Sequence, residues 1–591
     1  MPYGDTPEPD GSTSTRLGSI DLLDDDTQPA LWGDGTIGVT PEGDTATVTA
    51  DVPEETLDVV IMNPPFTRSV GHEGDRVGVP QPAFAGLGNT SQEQAKMAKL
   101  LKKAARNVGH QPAAYSGQVG LGSIFADLAH VKLRPGGVLA LILPASAIAG
   151  KEWENLRALL ATRYDRIQVL SIAETGSTAR SDAATPDALS DTANQAATPR
   201  SSNSRSRAFS ADTGMAEVVL VATKKESEED AMSSPQVVLA EHVILDKLPA
   251  STAAAVEFAK AIAGQGDDDA TLAVGTTVFG RSQLQPIGPG VRGHPTGVIG
   301  AEVAGFAAGL EAGQLRLPRL GAIAVSMAPL SSLARRGAYH MDINGLHSDG
   351  THRGPFDINA LLRRSHHSRT GYPVLWKHDH TKEQSIEVLP DSAGTVRSGM
   401  EAKARERWNG WTTARGLTIC GATRLHINRD FRVNSQALGA CFTPQPAIGG
   451  RAWPSAAPSP DLAPNPEECE KAIALWLNTT PGLIARWWVS NRQQKGRANL
   501  SITTIGDIPV LNLRVLPGTT VTALAAELDK HKTTKLLPAN EAYRDDARKM
   551  LDDIVLCQVL GMPGTIHASL STIREAWCAE PSVHGGKSTQ P

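Results

Sequence analysis

Four consecutive residues near the beginning of the chain are suited to binding a planar amino group. The apolar run Leu57–Met62 predicts a buried strand, and the chain continues directly into Asn63-Pro64-Pro65-Phe66. The two prolines fix the backbone and remove two amide donors, which leaves the Asn63 side chain and the Pro64 carbonyl as outward-facing acceptors. The aromatic ring of Phe66 follows at once and can stack on a planar ligand.

These residue types indicate methylation of an amino group. An amino group conjugated to a ring is a poor nucleophile because its lone pair is delocalised. The Asn63 amide oxygen and the Pro64 carbonyl oxygen can accept its two hydrogens, draw the nitrogen toward tetrahedral geometry and localise the lone pair for attack on a methyl donor. Such a site works by positioning and electrostatics, and it needs no general base before the attack. The alternative is a rigid turn that ends a strand.

The segments around this tetrapeptide alternate between apolar strands and helices. This alternation predicts a parallel α/β sheet covered on both faces, and open sheets of this kind bind ligands at the carboxyl ends of their strands. Besides Leu57–Met62, the pattern predicts strands at residues 16–23, 138–143, 167–172 and 215–223, and helices at residues 91–108, 123–133 and 153–164.

Composition limits the function classes. Hydrophobic residues make up 40% of the 591 residues, charged residues 20%, and the net charge is −6, which excludes a wholly basic nucleic-acid coat but not a nucleic-acid enzyme. The five cysteines form no Cys-x-x-Cys pair, so we expect neither a zinc site nor a disulfide framework. No apolar stretch approaches the roughly 20 residues of a membrane span, and no signal pattern opens the chain, so we expect a cytoplasmic protein without membrane contact.

The tetrapeptide resembles the catalytic motif of DNA adenine-N6 methyltransferases, of the type found in type I restriction and phage-exclusion systems. The similarity covers roughly residues 16–561, and the motifs outside the tetrapeptide are less specific. In the catalytic part they are Asp58 at the beginning of the strand and residues 121–129, 133–144 and 209–217, and in the later part residues 372–376, 474–482 and 492–498.

This resemblance implies a fold, a cofactor and a substrate. It implies an α/β protein with a partial Rossmann-like methyltransferase sheet, an irregular α+β target-recognition region and a helical C-terminal tail. The cofactor would be S-adenosylmethionine and the substrate double-stranded DNA, with the adenine flipped into a pocket over Asn63 and Phe66. Phe209 is a candidate second stacking face.

The resemblance also implies a cofactor cradle that is not recognisable before Asn63. The family places a Gly-rich turn and an acidic residue ahead of the catalytic motif, but the 62 residues before Asn63 contain no strand followed by a Gly-x-Gly turn and a helix. The assigned cofactor contacts are Ser19, Ile20 and Asp58. We expect a partner chain or a missing N-terminal segment to supply the rest. Gly86-Leu87-Gly88 matches the Gly-x-Gly pattern of a cofactor loop, but no strand is predicted before it.

Two basic clusters with interleaved tryptophans predict the DNA-binding surface. The first lies between residues 397 and 432 and the second between residues 486 and 497. Basic side chains contact phosphates, and glutamines can read base edges. An ordinary charged surface over core tryptophans is the alternative. The assigned residues are Arg405, Arg407, Trp408, Arg492, Gln493, Gln494, Lys495 and Arg497.

The predicted organisation has five parts. Residues 1–15 are a disordered start, and residues 16–235 are the catalytic domain, with a disordered insertion at 174–208 where Leu189 is the single large apolar side chain. Residues 236–520 are the DNA target-recognition region, 521–562 a helical tail and 563–591 a disordered end. Two other functions stay open: a methyltransferase for RNA or for protein glutamine, and a catalytically inactive DNA-recognition subunit.

Overall fold

The fold is seen in a computed structural model, which describes most of the chain after residue 120. The predicted strand at 16–23, the predicted helix at 91–108 and the insertion at 174–208 lie outside the described residues. The described residues are 6–7, 13–14, 53–64, 114, 119, 121–172, 217–226, 237–246, 248–263, 270–289, 301–347, 350–360, 371–379, 383–490 and 496–584.

A seven-stranded sheet dominates the first of two compact units, which continues to Gly297. A short antiparallel pair, β1 (Thr6–Pro7) and β2 (Thr13–Ser14), comes before it in the chain. The seven strands are β3 (Leu57–Met62), β4 (Leu133–Pro144), β5 (Tyr164–Ile172), β6 (Glu217–Lys224), β7 (Val238–Leu245), β8 (Ala270–Val274) and β9 (Thr277–Ile287). Their order is β3-β4-β6-β5-β7-β9-β8.

The sheet is mixed. β3 runs parallel to β4, and β5 runs parallel to β7. The expectation of a parallel sheet is wrong because β6 inserts antiparallel between β4 and β5, and β9 pairs antiparallel with β7. The strands predicted between residues 57 and 223 are confirmed, with small shifts of their ends.

Three strands that follow residue 235 belong to this sheet. β7, β8 and β9 lie between residues 238 and 287 and extend it beyond β5. The boundary predicted at 235 is therefore wrong, and the unit ends at Gly297. Periodicity alone placed these strands in the irregular region because Gly280 and Pro286 interrupt the apolar pattern of β9.

Helices cover one face of the sheet around β4. Leu139, Leu141 and Leu143 alternate along β4 and are buried in a cluster with Trp153 and Leu156. The helices of this unit are Leu121–Lys132, Ser146–Ala149, Glu154–Arg163 and Thr252–Ala263, with a 3₁₀ turn at Lys151–Trp153.

The opposite face of β3 is open among the described residues. Val59 and Ile61 are 52% and 77% exposed, and they lie opposite Val138 and Ala140 of β4. The prediction of a sheet covered on both faces is therefore not met at β3 by the described part of the chain.

The second unit contains a five-stranded sheet in the order β14-β16-β15-β21-β19 and several two-stranded pairs. Its strands are β10 (Gln314–Leu317), β11 (Gly321–Ala324), β12 (Met327–Pro329), β13 (Ala334–Arg336), β14 (Phe356–Ala360), β15 (Tyr372–Leu375), β16 (Ser392–Val396), β17 (Trp411–Thr412), β18 (Thr418–Ile419), β19 (Thr423–Ile427), β20 (Asp430–Arg432), β21 (Ala440–Gly449), β22 (Ala456–Pro458), β23 (Arg497–Asn499) and β24 (Pro509–Leu511).

Helices complete the core of this unit. They are Ala301–Glu311, Leu330–Leu333, His340–Ile343, Glu401–Asn409, Pro466–Leu477, Thr480–Trp488, Gly518–His531, Asp546–Asp552, Ile566–Ala579 and Pro581–His584, with 3₁₀ turns at Thr504–Asp507 and Ala539–Arg544 and a π-helical turn at Asp553–Val559. Within the described ranges, none of the helices combines the length and apolar character of a membrane span.

The end of the chain is ordered up to residue 584, so the disordered end predicted for 563–591 is wrong over most of its length. Ile566–Ala579 is a helix, and Leu570, Ile573 and Trp577 on it are buried in the main core of the unit. These three residues recur at helical spacing and form one apolar stripe. Burial of this stripe stabilises the helix.

Candidate functional site

The predicted catalytic motif begins where β3 ends. Asn63 follows the last residue of the strand and is exposed, whereas Pro64 is buried. Met62 lies opposite Leu141 of the parallel strand β4, so the register of β3 is fixed up to its final residue. Pro65 and Phe66 lie outside the described residues. The structure therefore describes the first two residues of the motif, and its catalytic role stays a prediction.

Four parallel strands end at the same edge of the sheet, and we call it the carboxyl edge. β3, β4, β5 and β7 all run toward it, and β6 begins there with Glu217 opposite Pro144. Residues 173–216 therefore leave and rejoin the described chain at this edge. Phe209 belongs to that segment and lies outside the described residues. Ligands of open α/β sheets bind at such an edge.

The helix Leu121–Lys132 supports the sheet behind the candidate site. Its Asp127 is buried and accepts a hydrogen bond from the Ala114 backbone N–H at 2.6 Å, which attaches the preceding segment to the helix. Gly122 packs against Trp153, because a β-carbon at Gly122 would lie 3.1 Å from the Trp153 ring. Glycine at this position therefore lets the first turn of the helix pack closely against Trp153.

Buried polar contacts fix the opposite end of the sheet. The Lys224 ammonium group donates to the Leu133 carbonyl at 2.7 Å and pairs with the Glu55 carboxylate at 2.8 Å. The Tyr164 hydroxyl lies 2.9 Å from His130 Nδ1. Burial, with a smaller contribution from the Asp127 charge, raises the pKa of Tyr164, so this hydroxyl stays neutral. These contacts hold the beginning of β3 and play no part at the carboxyl edge.

The assigned cofactor residues are not brought to Asn63 by the described residues. Asp58 is the second residue of β3, so about 16 Å of extended strand separates it from Asn63. Its carboxylate is exposed and pairs with Arg134 Nε at 2.6 Å. Ser19 and Ile20 lie outside the described residues. The cofactor assignment of these three residues therefore stays a prediction.

The first basic cluster contains both structural and exposed side chains. Arg407 stacks over the Trp411 ring at 3.8 Å, and its Nε donates to the Asp342 carbonyl at 3.3 Å. Burial lowers the pKa of Arg407. Trp408 packs against Tyr372 with ring centroids 5.1 Å apart. Arg407 and Trp408 are therefore packed, whereas Arg405 is exposed.

The second basic cluster divides in the same way. Arg486, Trp487 and Trp488 are buried, and Arg486 donates to the Ala498 carbonyl at 2.9 Å and lies over the Phe431 ring. Burial lowers the pKa of Arg486 to about 9. These three residues belong to the core, as the alternative interpretation of the cluster expects.

Arg497 lies in a different environment. It is in β23 and pairs directly with Arg432 of the antiparallel strand β20. Arg492, Gln493, Gln494 and Lys495 immediately precede this strand and lie outside the described residues. The opposition of Arg432 and Arg497 is not visible in the sequence, because no periodicity links two short strands so far apart in the chain.

Three potential metal ligands also come together in the second unit: Asp553, Cys557 and His567. No sequence pattern indicates this group, since the three residues match no common metal-binding spacing. His378 precedes two further potential metal ligands in the sequence, Asp379 and His380. In the structure it contacts the Glu383 carboxylate at 3.2 Å.

Comparisons with known proteins give remote structural similarity alone. No protein-family model matches the chain, and no curated protein matches it. The structural neighbours include the type IIG restriction endonuclease BpuSI (12% identity, TM-score 0.30, 90% of this chain covered), the ATP-dependent type ISP restriction-modification enzyme LlaBIII bound to DNA (9%, 0.33, 80%) and a DrdV–DNA complex (11%, 0.34, 80%). The matches span 55%, 29% and 44% of those chains. Similarity at this level carries no functional argument.

Proposed function

We propose that this chain transfers a methyl group from S-adenosylmethionine to the N6 amino group of adenine in DNA, as part of a restriction-modification or phage-defence system. The observation that carries the proposal is the position of Asn63 and Pro64. They follow the final residue of β3 at the carboxyl edge, and the Asn63 side chain is exposed there. The motif therefore stands at the edge where an α/β sheet binds its ligands.

The proposed role of the motif is to bind and orient the target amino group. The Asn63 amide oxygen and the Pro64 carbonyl oxygen accept its two N–H hydrogens, and Phe66 stacks on the base. These contacts strengthen as the nitrogen becomes tetrahedral, so they stabilise the transition state more than the bound substrate. When bound, S-adenosylmethionine supplies the electrophilic methyl group.

The described residues supply acceptors for the target base but no cradle for the cofactor. Asp58 lies toward the other end of β3 and pairs with Arg134, so its contact with a cofactor stays a prediction. Within the described sheet β3 is an edge strand, and Val59 and Ile61 on one of its faces are exposed. We propose that a strand–helix unit that binds S-adenosylmethionine completes the sheet beside β3.

This arrangement predicts weak cofactor binding by the chain alone. Calorimetry of the purified chain should show very weak or no binding of S-adenosylmethionine. Addition of a partner that carries the Gly-rich turn should restore it. Micromolar binding to a monodisperse monomer would contradict the requirement for an additional strand–helix unit. It would make Gly86-Leu87-Gly88 the candidate cofactor loop.

The proposed DNA-binding surface is the basic part of the second unit. Arg432 and Arg497 lie side by side, the Arg492–Lys495 segment leads into the same strand, and Arg405 is exposed elsewhere in the unit. Two arginines at opposed positions of one strand pair would favour an anion such as a DNA phosphate near both side chains.

Two other functions compete with this proposal. A methyltransferase for RNA or protein glutamine would use the same acceptors, and a catalytically inactive DNA-recognition subunit would bind DNA without methyl transfer. The exposed face of β3 favours the inactive DNA-recognition subunit, since the described part of the sheet holds no cofactor cradle.

Transfer of tritiated methyl groups distinguishes the three functions. The chain, with the partner that it requires, is offered duplex DNA, single-stranded RNA and a glutamine peptide in parallel. Label in N6-methyladenine of DNA supports the proposal. Label in RNA or peptide alone, or DNA binding without transfer under any partner condition, supports the corresponding alternative.

A further inference from the structure

Two successive helical segments near the end of the chain bring three different metal-ligating side chains together. Asp553 and Cys557 lie one turn apart on the π-helical turn Asp553–Val559, and His567 is the second residue of the helix Ile566–Ala579. One ligand atom from each residue lies within 4.8 Å of the other two. π-Helical turns are rare and often occur at functional sites.

The separations of the three atoms are close to those around a tetrahedral metal ion. His567 Nε2 lies 3.0 Å from Asp553 Oδ1 and 3.6 Å from Cys557 Sγ. Zinc binds nitrogen and oxygen ligands at about 2.0–2.2 Å and sulfur at about 2.3 Å, so ligand atoms around one tetrahedral ion lie roughly 3.3–3.8 Å apart. Only small side-chain movements would be needed to place an ion between the three atoms.

The contacts converge on one nitrogen, which distinguishes this group from a catalytic relay. In a Cys-His-Asp triad the thiol and the carboxylate contact opposite nitrogens of the imidazole, so that a proton passes through the ring. Here both Cys557 and Asp553 contact Nε2 of His567. The three potential ligand atoms therefore cluster on one side of the imidazole ring, as the ligands of one metal ion must.

The surroundings of Asp553 support the same conclusion. Gln558 Nε2 donates to Asp553 Oδ2 at 2.8 Å, so the second carboxylate oxygen is held and Oδ1 is directed at His567. Such outer hydrogen bonds orient the ligands of metal sites. The Asp553 and His567 side chains are 38% and 45% exposed, which leaves a path for an ion to enter.

We propose that Asp553, Cys557 and His567 bind a divalent cation of the zinc class, with water in the fourth position. Zinc is bound by the thiolate form of cysteine, so binding must release the Cys557 thiol proton. The ion would link the π-helical turn to the following helix and stabilise both. The inference is independent of the proposed methyl transfer.

The test is Zn²⁺ and Co²⁺ titration of the full chain after removal of metals with a chelator. We expect saturation at one ion per chain, a higher melting temperature with Zn²⁺, and thiolate-to-cobalt charge-transfer absorption with Co²⁺. Asp553→Asn, Cys557→Ser and His567→Gln should each weaken binding by about 100-fold or more, and Gln558→Ala by about 10-fold.

The matched control is His531→Gln. His531 contacts Glu527 at 3.8 Å across one helical turn and so forms a histidine–carboxylate pair that lacks a thiol. This variant should bind Zn²⁺ like the wild type. Melting temperatures measured without metal establish that every variant is folded. Wild-type Zn²⁺ affinity in the three ligand variants, or a Co²⁺ spectrum without the thiolate band, would overturn the proposal.

Discussion

Arg432 and Arg497 are directly opposed across the antiparallel pair of β20 and β23, although the chain separates them by 65 residues. Like charges at opposed positions of a strand pair destabilise it by about 0.2–1 kcal/mol. An anion that binds near both arginines would relieve this repulsion. In the proposed function that anion is a DNA phosphate.

Neutralising either arginine should weaken DNA binding in a salt-dependent way. Arg432→Gln and Arg497→Gln should each reduce the slope of log affinity against log salt concentration by about 1, because one phosphate contact is lost. The free energy of unfolding should be unchanged or higher by about 0.2–1 kcal/mol, because the repulsion is relieved. Binding of a duplex at several salt concentrations provides the measurement.

Arg407→Gln is the matched control for this pair. Arg407 stacks on Trp411 and bonds to the Asp342 carbonyl, so its loss should destabilise the unit by roughly 1–2 kcal/mol and leave the salt slope unchanged. Equal salt slopes in all three variants and the wild type would remove Arg432 and Arg497 from the DNA interface.

The buried carboxylate of Asp552 should be essential for the stability of the second unit. It accepts hydrogen bonds from the Thr480 backbone N–H at 2.7 Å and from Arg574 Nη1 at 2.9 Å. Asp552→Ala leaves the Arg574 guanidinium buried without a partner carboxylate, which should lower the free energy of unfolding by about 3–5 kcal/mol.

Chemical denaturation checks this prediction, with Asp546→Ala as the control. Asp546 begins the same helix that Asp552 ends, and its carboxylate is solvated and pairs with Lys549 at the surface, so the control should unfold like the wild type. Similar denaturation midpoints for Asp552→Ala and Asp546→Ala would show that the buried network adds nothing to stability.

Glu470 should make stability depend on pH. Burial raises the pKa of Glu470 to about 7, although the hydrogen bond from the Arg424 backbone N–H acts to lower it. Between the unfolded value of 4.5 and about 7, the folded state keeps the proton and the unfolded state releases it. The contribution of Glu470 to the free energy of unfolding is therefore fully present below pH 4.5. It is lost as the pH rises to about 7, and the total loss is up to roughly 3 kcal/mol.

Comparison with Glu470→Gln isolates this contribution from other titrating groups. The glutamine stays neutral, so the variant should gain stability relative to the wild type as pH rises from 4.5 to 7. Denaturant unfolding at several pH values measures the difference. A difference that does not change over this range would mean that Glu470 titrates normally.

Apolar runs made the elements near the motif predictable. The strand Leu57–Met62 was predicted with its observed ends, and the strands and helices between residues 121 and 224 were found within a few residues. Each contains a nearly continuous apolar run or stripe, and local sequence determines such elements. The direction of β6 was not predictable, because it depends on where a strand inserts and not on its own residues.

Other features depended on contacts that the sequence does not display. In the sequence, Gly280 predicts a break in a strand. In the structure, a β-carbon at this position would collide with the backbone of Ile244, so glycine permits β9 to pair closely with β7. Arg486 and Trp487 read as a DNA-binding pair, but the core buries both. The same residue types can form a DNA-binding surface or a core, and the tertiary structure determines which.

The central claim is that Asn63 accepts a hydrogen bond from the amino group being methylated. Because Asn63 is exposed at the end of β3, Asn63→Ala should leave the free energy of unfolding within about 0.5 kcal/mol of the wild type. Losing one acceptor that acts mainly in the transition state should raise the barrier by about 2.7–4 kcal/mol. Asn359→Ala, at an exposed asparagine of β14 in the other unit, is the matched control.

The most direct measurement is the rate of tritiated methyl transfer to duplex DNA by the wild type, Asn63→Ala and Asn359→Ala, each with the required partner. We predict a rate 10²–10³-fold lower for Asn63→Ala, with DNA affinity and unfolding unchanged, and a wild-type rate for Asn359→Ala. A wild-type rate for Asn63→Ala would contradict the role of Asn63 and, with it, the proposed site.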